Sequence, residues 1–360
     1  MIKSTSRKLP KISVIIPAYN CEKTIKYTIQ SVLNQTFSDL ELIIINDGSQ
    51  DSTIEVIAEI QDSRIKVFSY PNAGGNVSRN RGLHLAVGEF VSFLDADDLW
   101  TPDKLHSQLK ALQENITAKV AYSWTDYINA NGEFILSGKR VNLNGNVYES
   151  LLLNNFLENG SNPLICRKAL TKLGGFDESL SAAQDWDMWL RLAFQFDFVC
   201  VPSVQILYRI SANSVSSNLV RQEKSCLQVL KRAYKQSSYL RDASARSTLK
   251  HNWNTSLANL YKYLTCKALQ KPLNNKKGLA AAIFLWKYFL HDPLKLQNIN
   301  FTLKLLLKIV IILIMPSLLD NITNQREVRR QEVETLLNGW VIEKRSENKN
   351  GYQSAVTVSS

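Results

Sequence analysis

Two short apolar runs, each ended by polar residues, constrain the fold of this chain most. Residues 12–16 read Ile-Ser-Val-Ile-Ile, and residues 42–45 read Leu-Ile-Ile-Ile. Between them, apolar residues recur at helical spacing over residues 25–33. Runs of this length predict buried strands, and the order strand, helix, strand predicts parallel pairing. The sequence therefore predicts an α/β protein with a parallel sheet flanked by helices.

A third apolar run, residues 90–94, ends in three acids, Asp95, Asp97 and Asp98. Neighbouring carboxylates repel one another unless a cation shares them. Residues i and i+2 of an extended segment lie on one face, and Mg²⁺ or Mn²⁺ prefers carboxylates together with substrate phosphates. The alternative is that one acid caps a helix that begins near Thr101. Taken alone, the spacing favours the cap.

Asp47 follows the second apolar run in the same way. Ligands of open α/β sheets bind beyond the carboxyl ends of the strands, which makes Asp47 a candidate ligand-binding residue. The alternative is a turn residue, because Gly48 and Ser49 allow a tight turn into a helix near Thr53.

Residues 174–193 contain a further candidate. A Gly-Gly-Phe-Asp-Glu loop leads into a helix whose apolar face carries tryptophans, and Asp185 and Asp187 fall in its first turn. Helix starts favour acids through capping and the helix dipole. The functional alternative makes Asp185 a general base.

Eight short motifs stand in order along the chain. They are Pro17-Ala18-Tyr19-Asn20, Ser31-Val32-Leu33-Asn34-Gln35-Thr36, Asp47-Gly48-Ser49 with Asp51 and Thr53, Asn72-Ala73-Gly74, Ser78-Arg79-Asn80-Arg81-Gly82, Leu94-Asp95-Ala96-Asp97-Asp98, Gly174-Gly175-Phe176-Asp177 and Asp185-Trp186-Asp187. In this order and spacing they resemble the family-2 glycosyltransferases, which are inverting enzymes with the GT-A fold. The resemblance implies an α/β fold with a Rossmann-like, mixed and mainly parallel sheet flanked by helices. The resemblance covers roughly residues 10–210.

The resemblance implies a role for each matching residue. The donor-binding group would be Pro17, Ala18 and Tyr19 at the border of the nucleotide, Asp47 on the base (most simply uracil N3–H), Arg79 near the phosphates or base, and Asp95 near the ribose. Asp97 would bind a divalent metal, Mn²⁺ or Mg²⁺. Asp185 would deprotonate the acceptor hydroxyl, with Trp186 and Asp187 on the acceptor side.

The sequence departs from the family pattern in three places. Asn46 stands where many relatives have an acid, Gln184 replaces a commoner Glu, and Gly74-Gly75 follows Ala73 where small residues such as Ala are more usual. These changes bear on affinity and donor choice more than on the class of reaction.

The implied function is metal-dependent, inverting transfer of one sugar from a nucleotide-diphosphate sugar. The donor would be UDP-linked, and the acceptor would be a hydroxyl of a glycan or lipid-linked acceptor in cell-surface polysaccharide synthesis. The signature Gln-x-x-Arg-Trp of processive synthases does not occur in the sequence. The alternatives are a nucleotidyltransferase on a related sheet and an inactive nucleotide-sugar-binding protein. Residues 17–20 do not form the Gly-rich loop of the first, and intact Asp47, Asp97 and Asp185 argue against the second.

Charge divides the chain unevenly. Residues 1–210 carry 20 Lys or Arg and 23 Asp or Glu, a net charge of −3, whereas residues 211–360 carry a net charge of +14. We expect a basic tail over 1–10, a catalytic domain over 11–215, a basic, mostly helical extension over 216–342 and a polar, disordered tail over 343–360.

The basic extension has two interpretations. Residues 303–319 are apolar but contain Lys304, Lys308 and Pro316, so they predict an interfacial helix rather than a membrane span. Lysines near anionic lipid favour a place on the membrane surface, and the alternative is a helix that packs on the catalytic domain. We expect no nucleic-acid partner. Five cysteines without metal-site spacing, and no signal peptide, predict a cytoplasmic protein, on the membrane's cytoplasmic face if the extension binds lipid.

Overall fold

The computed structural model describes residues 9–210, 218–238, 245–270, 274–292 and 299–314. The strands are β1 (Ile12–Ala18), β2 (Leu40–Asn46), β3 (Ile65–Ser69), β4 (Phe90–Phe93), β5 (Leu99–Trp100), β6 (Ala118–Ile128), β7 (Phe134–Ser137), β8 (Leu164–Cys166) and β9 (Asp197–Arg209). The helices are α1 (Ile25–Leu33), α2 (Thr53–Ala58), α3 (Gly75–Leu85), α4 (Lys104–Glu114), α5 (Tyr148–Leu153), α6 (Arg167–Lys172), α7 (Gln184–Ala193), α8 (Leu219–Ser238), α9 (Ala245–Ala268), α10 (Asn275–His291) and α11 (Ile299–Ile314).

The strands of the described residues form one sheet. Its order is β3-β2-β1-β4-β8-β6-β9-β5, with β7 paired to β6. Strands β1 to β4 pair parallel, and β6 pairs parallel with β9. Strand β8 is antiparallel to both β4 and β6, and β5 and β7 are antiparallel to their partners. Six strands therefore run in one direction and three in the other, which confirms the predicted mixed, mainly parallel sheet.

The centre of the sheet is buried on both faces. Ile15 and Ile16 of β1 and Ile43 and Ile44 of β2 are all fully buried. Continuous apolar strands of this kind are typical of parallel sheets covered by helices on both sides. Helix α3 comes very close, since a Cβ at Gly82 would lie 2.3 Å from the Ile15 side chain. This close approach places α3 directly against the strands that carry the candidate site.

Most predicted elements are present. The helices expected over residues 25–33 and from Thr53 are α1 and α2, and the tryptophan-bearing helix is α7. The helix expected near Thr101 begins at Lys104. The described part of the extension, expected to be mostly helical, contains α8, α9, α10 and α11. The tail predicted over 343–360 lies outside the described residues.

The chain forms two compact units, Met1–Leu260 and Tyr261–Ser360. The first unit reaches beyond residue 215, the predicted end of the catalytic domain, and includes α8. There the Tyr148 hydroxyl donates a hydrogen bond to the Ala233 carbonyl at 2.8 Å. The domain limits proposed from the sequence stay predictions.

The described part of the second unit includes α10 and α11, which pack on each other. Gly278 of α10 permits the contact, because a Cβ there would lie 2.8 Å from the Ile312 side chain. Helix α11 covers the predicted apolar segment as far as Ile314, and residues 315–319 lie outside the described ranges. Among the helices described, none is both long and apolar enough to cross a membrane.

Candidate active site

The candidate site lies where the parallel strands β1, β2 and β4 end. Tyr19 follows β1, Asp47 follows β2 and Asp95 closely follows β4. The carboxyl ends of parallel strands share one edge of the sheet, where α/β proteins bind their ligands. The topology therefore brings together residues that the sequence separates by more than seventy positions.

The loops after β1 and β2 are hydrogen-bonded to each other. The Ala18 carbonyl accepts from Asp47 N at 2.8 Å, and Asn20 N donates to the Ser49 hydroxyl at 3.1 Å. Pro17 pairs in register with Ile45 of β2. Tyr19 is 49% exposed, which leaves its ring free to border a ligand.

Asp47 is buried and holds the start of α3. Its Oδ1 accepts from Ala73 N at 3.0 Å, and its Oδ2 accepts from Gly74 N at 2.8 Å. Arg81 forms an ion pair with Oδ1 at 3.3 Å. A carboxylate offers roughly four acceptor positions, so these three donors leave capacity for one more. Gly48 makes the turn possible, because its φ is +75° and a Cβ would lie 2.9 Å from Asn72 N.

Arg79 and Asp95 form an ion pair beside these loops. Arg79 Nη2 donates to Asp95 Oδ1 at 2.5 Å, and Arg79 is only 7% exposed. The guanidinium lies over the Phe176 ring, 5.6 Å from its centroid. The two predicted donor-binding residues therefore contact each other directly, and Phe176 of the Gly-Gly-Phe-Asp loop covers one side of the pair.

The acid turn after β4 contains two different carboxyls. Asp98 is fully buried, where it accepts from the Ser161 hydroxyl at 2.5 Å and from Arg209 N at 2.9 Å. Burial raises its pKa well above the ordinary value. Burial, and next the charge of Asp95, raise the pKa of Asp97 to about 6. The Asp97 carboxylate is hydrogen-bonded to no other side chain of the described residues, whereas Asp98 is held inside the protein.

Asp185 lies at the start of α7. Its Oδ1 accepts from Trp186 N at 2.8 Å, and the side chain is half-buried. Burial raises the pKa of Asp185, the Trp186 N–H and the positive charge of Arg79 lower it, and the negative charge of Asp95 raises it. The structure therefore brings Asp185 within electrostatic reach of the Arg79–Asp95 pair. Ala183, just before the helix, has a φ of 55°, a conformation that non-glycine residues rarely adopt.

The two predicted acceptor-side residues have partners inside the protein. Trp186 is 6% exposed, and its indole N–H donates to the Leu151 carbonyl at 2.8 Å. Asp187 is 5% exposed and accepts from Arg191 Nε at 2.7 Å. Both contacts stabilise α7 within the fold, and neither side chain forms a hydrogen bond or ion pair with Arg79 or Asp95.

Sequence reasoning missed Ser161 and Arg209. Ser161 accepts from Asp95 N at 3.0 Å as well as donating to Asp98. Arg209 Nε donates to the Asp97 carbonyl at 2.7 Å. Both residues lie more than sixty positions from the acid turn, so no local motif could reveal the contacts. Only the pairing of β9 and the course of the chain before β8 bring them there.

Comparison with solved structures supports the fold. S. aureus TarS 1–349 in complex with UDP-GlcNAc matches with a TM-score of 0.51 and 19% identity, over 80% of this chain and 92% of that chain. The mannosyltransferase PcManGT from Pyrobaculum calidifontis, in complex with GDP-Man and Mn²⁺, matches with a TM-score of 0.51 and 18% identity, over 86% and 88% of the two chains. The sheet and its helices thus have the GT-A architecture of these glycosyltransferases.

Comparison with curated sequences gives closer relatives. The chain is 33% identical over 221 residues to the Escherichia coli UDP-Glc:alpha-D-GlcNAc-diphosphoundecaprenol beta-1,3-glucosyltransferase WfgD. The matched region covers 59% of this chain and 82% of that protein. The chain is 27% identical over 308 residues to an uncharacterized glycosyltransferase of Methanocaldococcus jannaschii, over 84% and 93% of the two chains. The model of the family described as glycosyltransferase like family 2 matches residues 13–262, and the chain therefore belongs to that family.

Proposed function

We propose that this glycosyltransferase transfers one sugar from a UDP-sugar to a hydroxyl of a glycan or lipid-linked acceptor, with inversion at the anomeric carbon. The observation that carries the proposal is the position of Asp185 at the start of α7, within electrostatic reach of the Arg79–Asp95 pair. The E. coli relative is named as a glucosyltransferase from UDP-Glc to GlcNAc-diphosphoundecaprenol, which supports the UDP-sugar and the acceptor class.

The donor would bind along the loops after β1 and β2. Asp47 would accept a hydrogen bond from the base with its remaining acceptor capacity, and Pro17, Ala18 and exposed Tyr19 would border the nucleotide. Asp95 would approach the ribose. Asp95 is already paired with Arg79, so these two side chains would bind each other and the donor at the same time.

Asp97 fits the role of a metal-binding residue. Its pKa is raised by burial and by Asp95. A bound cation would offset both the cost of burying the Asp97 charge and its repulsion from Asp95. Mg²⁺ and Mn²⁺ are commonly held by one or two carboxylates together with substrate phosphates. The described residues contain no group of three or more His, Cys, Asp or Glu side chains that could hold a metal by themselves. The donor diphosphate would therefore complete the coordination. Such a cation, when bound, stabilises the negative charge that grows on the leaving diphosphate.

In the transfer itself, Asp185 would accept the proton of the attacking hydroxyl. The carboxylate is oriented by the Trp186 N–H at the start of α7. A raised pKa makes this carboxylate a stronger base than an exposed aspartate. Arg79 would place a fixed positive charge beside the reacting groups. A well-positioned base contributes roughly a hundredfold to ten-thousandfold in rate.

The second unit supports a membrane-associated site of action for this enzyme. Exposed apolar residues lie four, three and four positions apart on α10, at Leu279, Ile283, Trp286 and Leu290. Helix α11 has a similar exposed stripe at Leu303, Leu306, Leu307, Val310, Leu313 and Ile314. Amphipathic helices of this type lie in the plane of a membrane, and lysines strengthen binding to anionic lipid. We infer that the two stripes bind an anionic membrane surface, close to a lipid-linked acceptor.

A donor panel tests the proposed reaction. Purified full-length protein is incubated with UDP-, GDP- and dTDP-sugars and Mn²⁺, with and without a GlcNAc-diphosphoryl lipid, and nucleotide release is measured. We expect UDP release from at least one UDP-sugar and faster release when acceptor is added. Pyrophosphate release from a nucleoside triphosphate would identify a nucleotidyltransferase instead, and binding without any turnover would identify an inactive nucleotide-sugar-binding protein.

A further inference from the structure

Helix α3 and the Gly-Gly-Phe-Asp loop are joined by one asparagine amide. Asn80 Nδ2 donates to the Phe176 carbonyl at 2.9 Å, and Asn80 Oδ1 accepts from Phe176 N at 2.8 Å. The same Nδ2 donates to Glu178 Oε1 at 2.8 Å. The Asn80 amide therefore reproduces, for one residue of the loop, the pair of hydrogen bonds that a neighbouring strand would supply.

A second asparagine on the same face of α3 extends this attachment. Asn76 lies one helical turn before Asn80, and it is 8% exposed. Its Nδ2 donates to the Asp177 carbonyl at 2.9 Å and to the Leu180 carbonyl at 2.8 Å. Together the two asparagines hold the main chain of the loop from Phe176 to Leu180, three residues before Ala183.

The loop is shaped for this attachment. Gly175 has a φ of +78°, and a Cβ there would lie 2.5 Å from Asn80 Oδ1. The Phe176 side chain is fixed as well, since its ring packs edge-on against Phe93 at a centroid distance of 5.0 Å and lies beneath Arg79. Backbone and side chain of Phe176 are thus both held by elements of the donor side of the site.

We propose that Asn76 and Asn80 are positioning residues that fix the Gly174–Leu180 loop to the helix carrying Arg79, and thereby align Asp185 with the bound donor. The proposal rests on the proposed function. Arg79 faces Asp95 from α3, while the loop leads within five residues to Asp185. The asparagines therefore connect the donor half of the site to the acceptor half. A displacement of about 1 Å between reacting groups can lower a rate about a hundredfold.

The choice of asparagine is chemically specific. Only an amide supplies a donor and an acceptor side by side at this length. Asn80→Asp keeps the acceptor for Phe176 N but sets a carboxylate against the Phe176 carbonyl and Glu178. Asn80→Ala removes all three hydrogen bonds. Both variants keep the donor-site residues unchanged.

The test compares Asn80→Asp, Asn80→Ala and Gly175→Ala with the full-length wild type. His84→Ala, an exposed position of the same helix, is the control. Turnover is measured with the UDP-sugar selected by the donor panel, a GlcNAc-diphosphoryl lipid and Mn²⁺. UDP binding is measured by calorimetry, and loop mobility by amide hydrogen exchange of residues 174–185. Gly175→Ala disturbs the contact from the loop side, so the test does not depend on one variant folding.

We expect both Asn80 variants and Gly175→Ala to lower kcat about tenfold to a hundredfold and to speed exchange over residues 174–185. UDP affinity should stay within about threefold of the wild type, and His84→Ala should be unchanged in every measurement. Normal kcat with normal exchange, or a loss of UDP binding equal to the loss of kcat, would overturn the proposal. If the wild type shows no turnover, the proposed function is contradicted instead. In that case, unchanged hydrogen exchange in the variants would still show that the asparagines do not hold the loop.

Discussion

The side chain of Arg209, at the end of β9, holds the main chain of Asp97. Its Nε donates to the Asp97 carbonyl at 2.7 Å, and its Nη1 donates to the carbonyls of Asn129 and Ala130 at 2.9 and 2.7 Å. Its backbone N–H binds the Asp98 carboxylate. The buried Arg209 cation thus fixes the main chain of the acid turn. The Asp97 carboxylate is left as the group available to a ligand.

Arg209→Lys should weaken metal-dependent UDP binding. Lysine keeps the positive charge, but all its donors lie on one nitrogen, which cannot occupy the positions of both Nε and Nη1. The acid turn therefore loses its fixed position. Substitution of a residue that supports a metal ligand typically reduces metal affinity about tenfold to a hundredfold. Calorimetric titration of UDP with Mn²⁺ measures the effect, and a melting temperature checks that the variant is folded. Unchanged UDP–Mn²⁺ affinity would mean that Arg209 only supports the fold.

Asp97→Ala should abolish the part of UDP binding that depends on Mn²⁺. The reason is that Asp97 is the carboxylate of the acid turn without a partner side chain among the described residues. UDP titrations with and without Mn²⁺ measure the difference, and Glu114→Gln, at an exposed helical site, serves as the matched control. A variant that binds UDP–Mn²⁺ like the wild type would show that Asp97 is not a metal ligand.

The raised pKa of Asp97 predicts a pH dependence of metal-dependent UDP binding. Protonation of Asp97 below about pH 6 removes the negative charge, so Mn²⁺-dependent affinity should fall between pH 7.5 and 5. The stability of the metal-free protein depends on pH in the opposite direction. The folded state binds the proton more tightly than the unfolded chain, so the free energy of unfolding falls as pH rises from about 3.8 to about 6.

Asp97→Asn removes the loss of stability that accompanies ionisation of Asp97. We expect the variant to melt at a higher temperature than the metal-free wild type at pH 7.5 and at a similar temperature near pH 4. Melting curves at the two pH values check the sign. A lower melting temperature for Asp97→Asn at pH 7.5 would contradict the inferred environment of the carboxyl.

The exposed stripes of α10 and α11 predict binding to anionic vesicles. Trp286 is 66% exposed and Leu307 is 63% exposed, so replacing both with Ser should reduce binding without disturbing the core. Co-sedimentation with phosphatidylglycerol vesicles, phosphatidylcholine vesicles and increasing salt measures the partition. Ile116→Ser, at a position 84% exposed in the first unit, is the control. Equal partition of the double variant and the control would exclude these stripes as the membrane contact.

The sequence predicted the parallel part of the sheet well. The apolar runs of β1, β2 and β4 and the helical spacing of α1 and α7 are local patterns, and local burial decides them. The positions of Asp47 and Asp95 after strands and of Asp185 in the first turn of a helix followed from the same local patterns, and their roles stay predictions. Long-range partners could not be predicted, because Arg209, Ser161 and the asparagines of α3 reach the site through strand order and loop course. Local patterns in the sequence record neither.

The central claim is that Asp185 is the base of a sugar transfer, and Asp185→Asn tests it most directly. Asparagine keeps the size and most of the capping ability at the helix start, so the melting temperature and UDP–Mn²⁺ affinity should be close to wild type. Since the amide cannot accept the proton of the acceptor hydroxyl, transfer should fall about a hundredfold or more. Asp185→Ala should lose transfer equally and about 1 kcal/mol of stability as well. The measurement is the rate of sugar transfer from the UDP-sugar selected by the donor panel. A slow, folded, UDP-binding Asp185→Asn is the predicted result, and near-normal turnover of that variant would contradict the account.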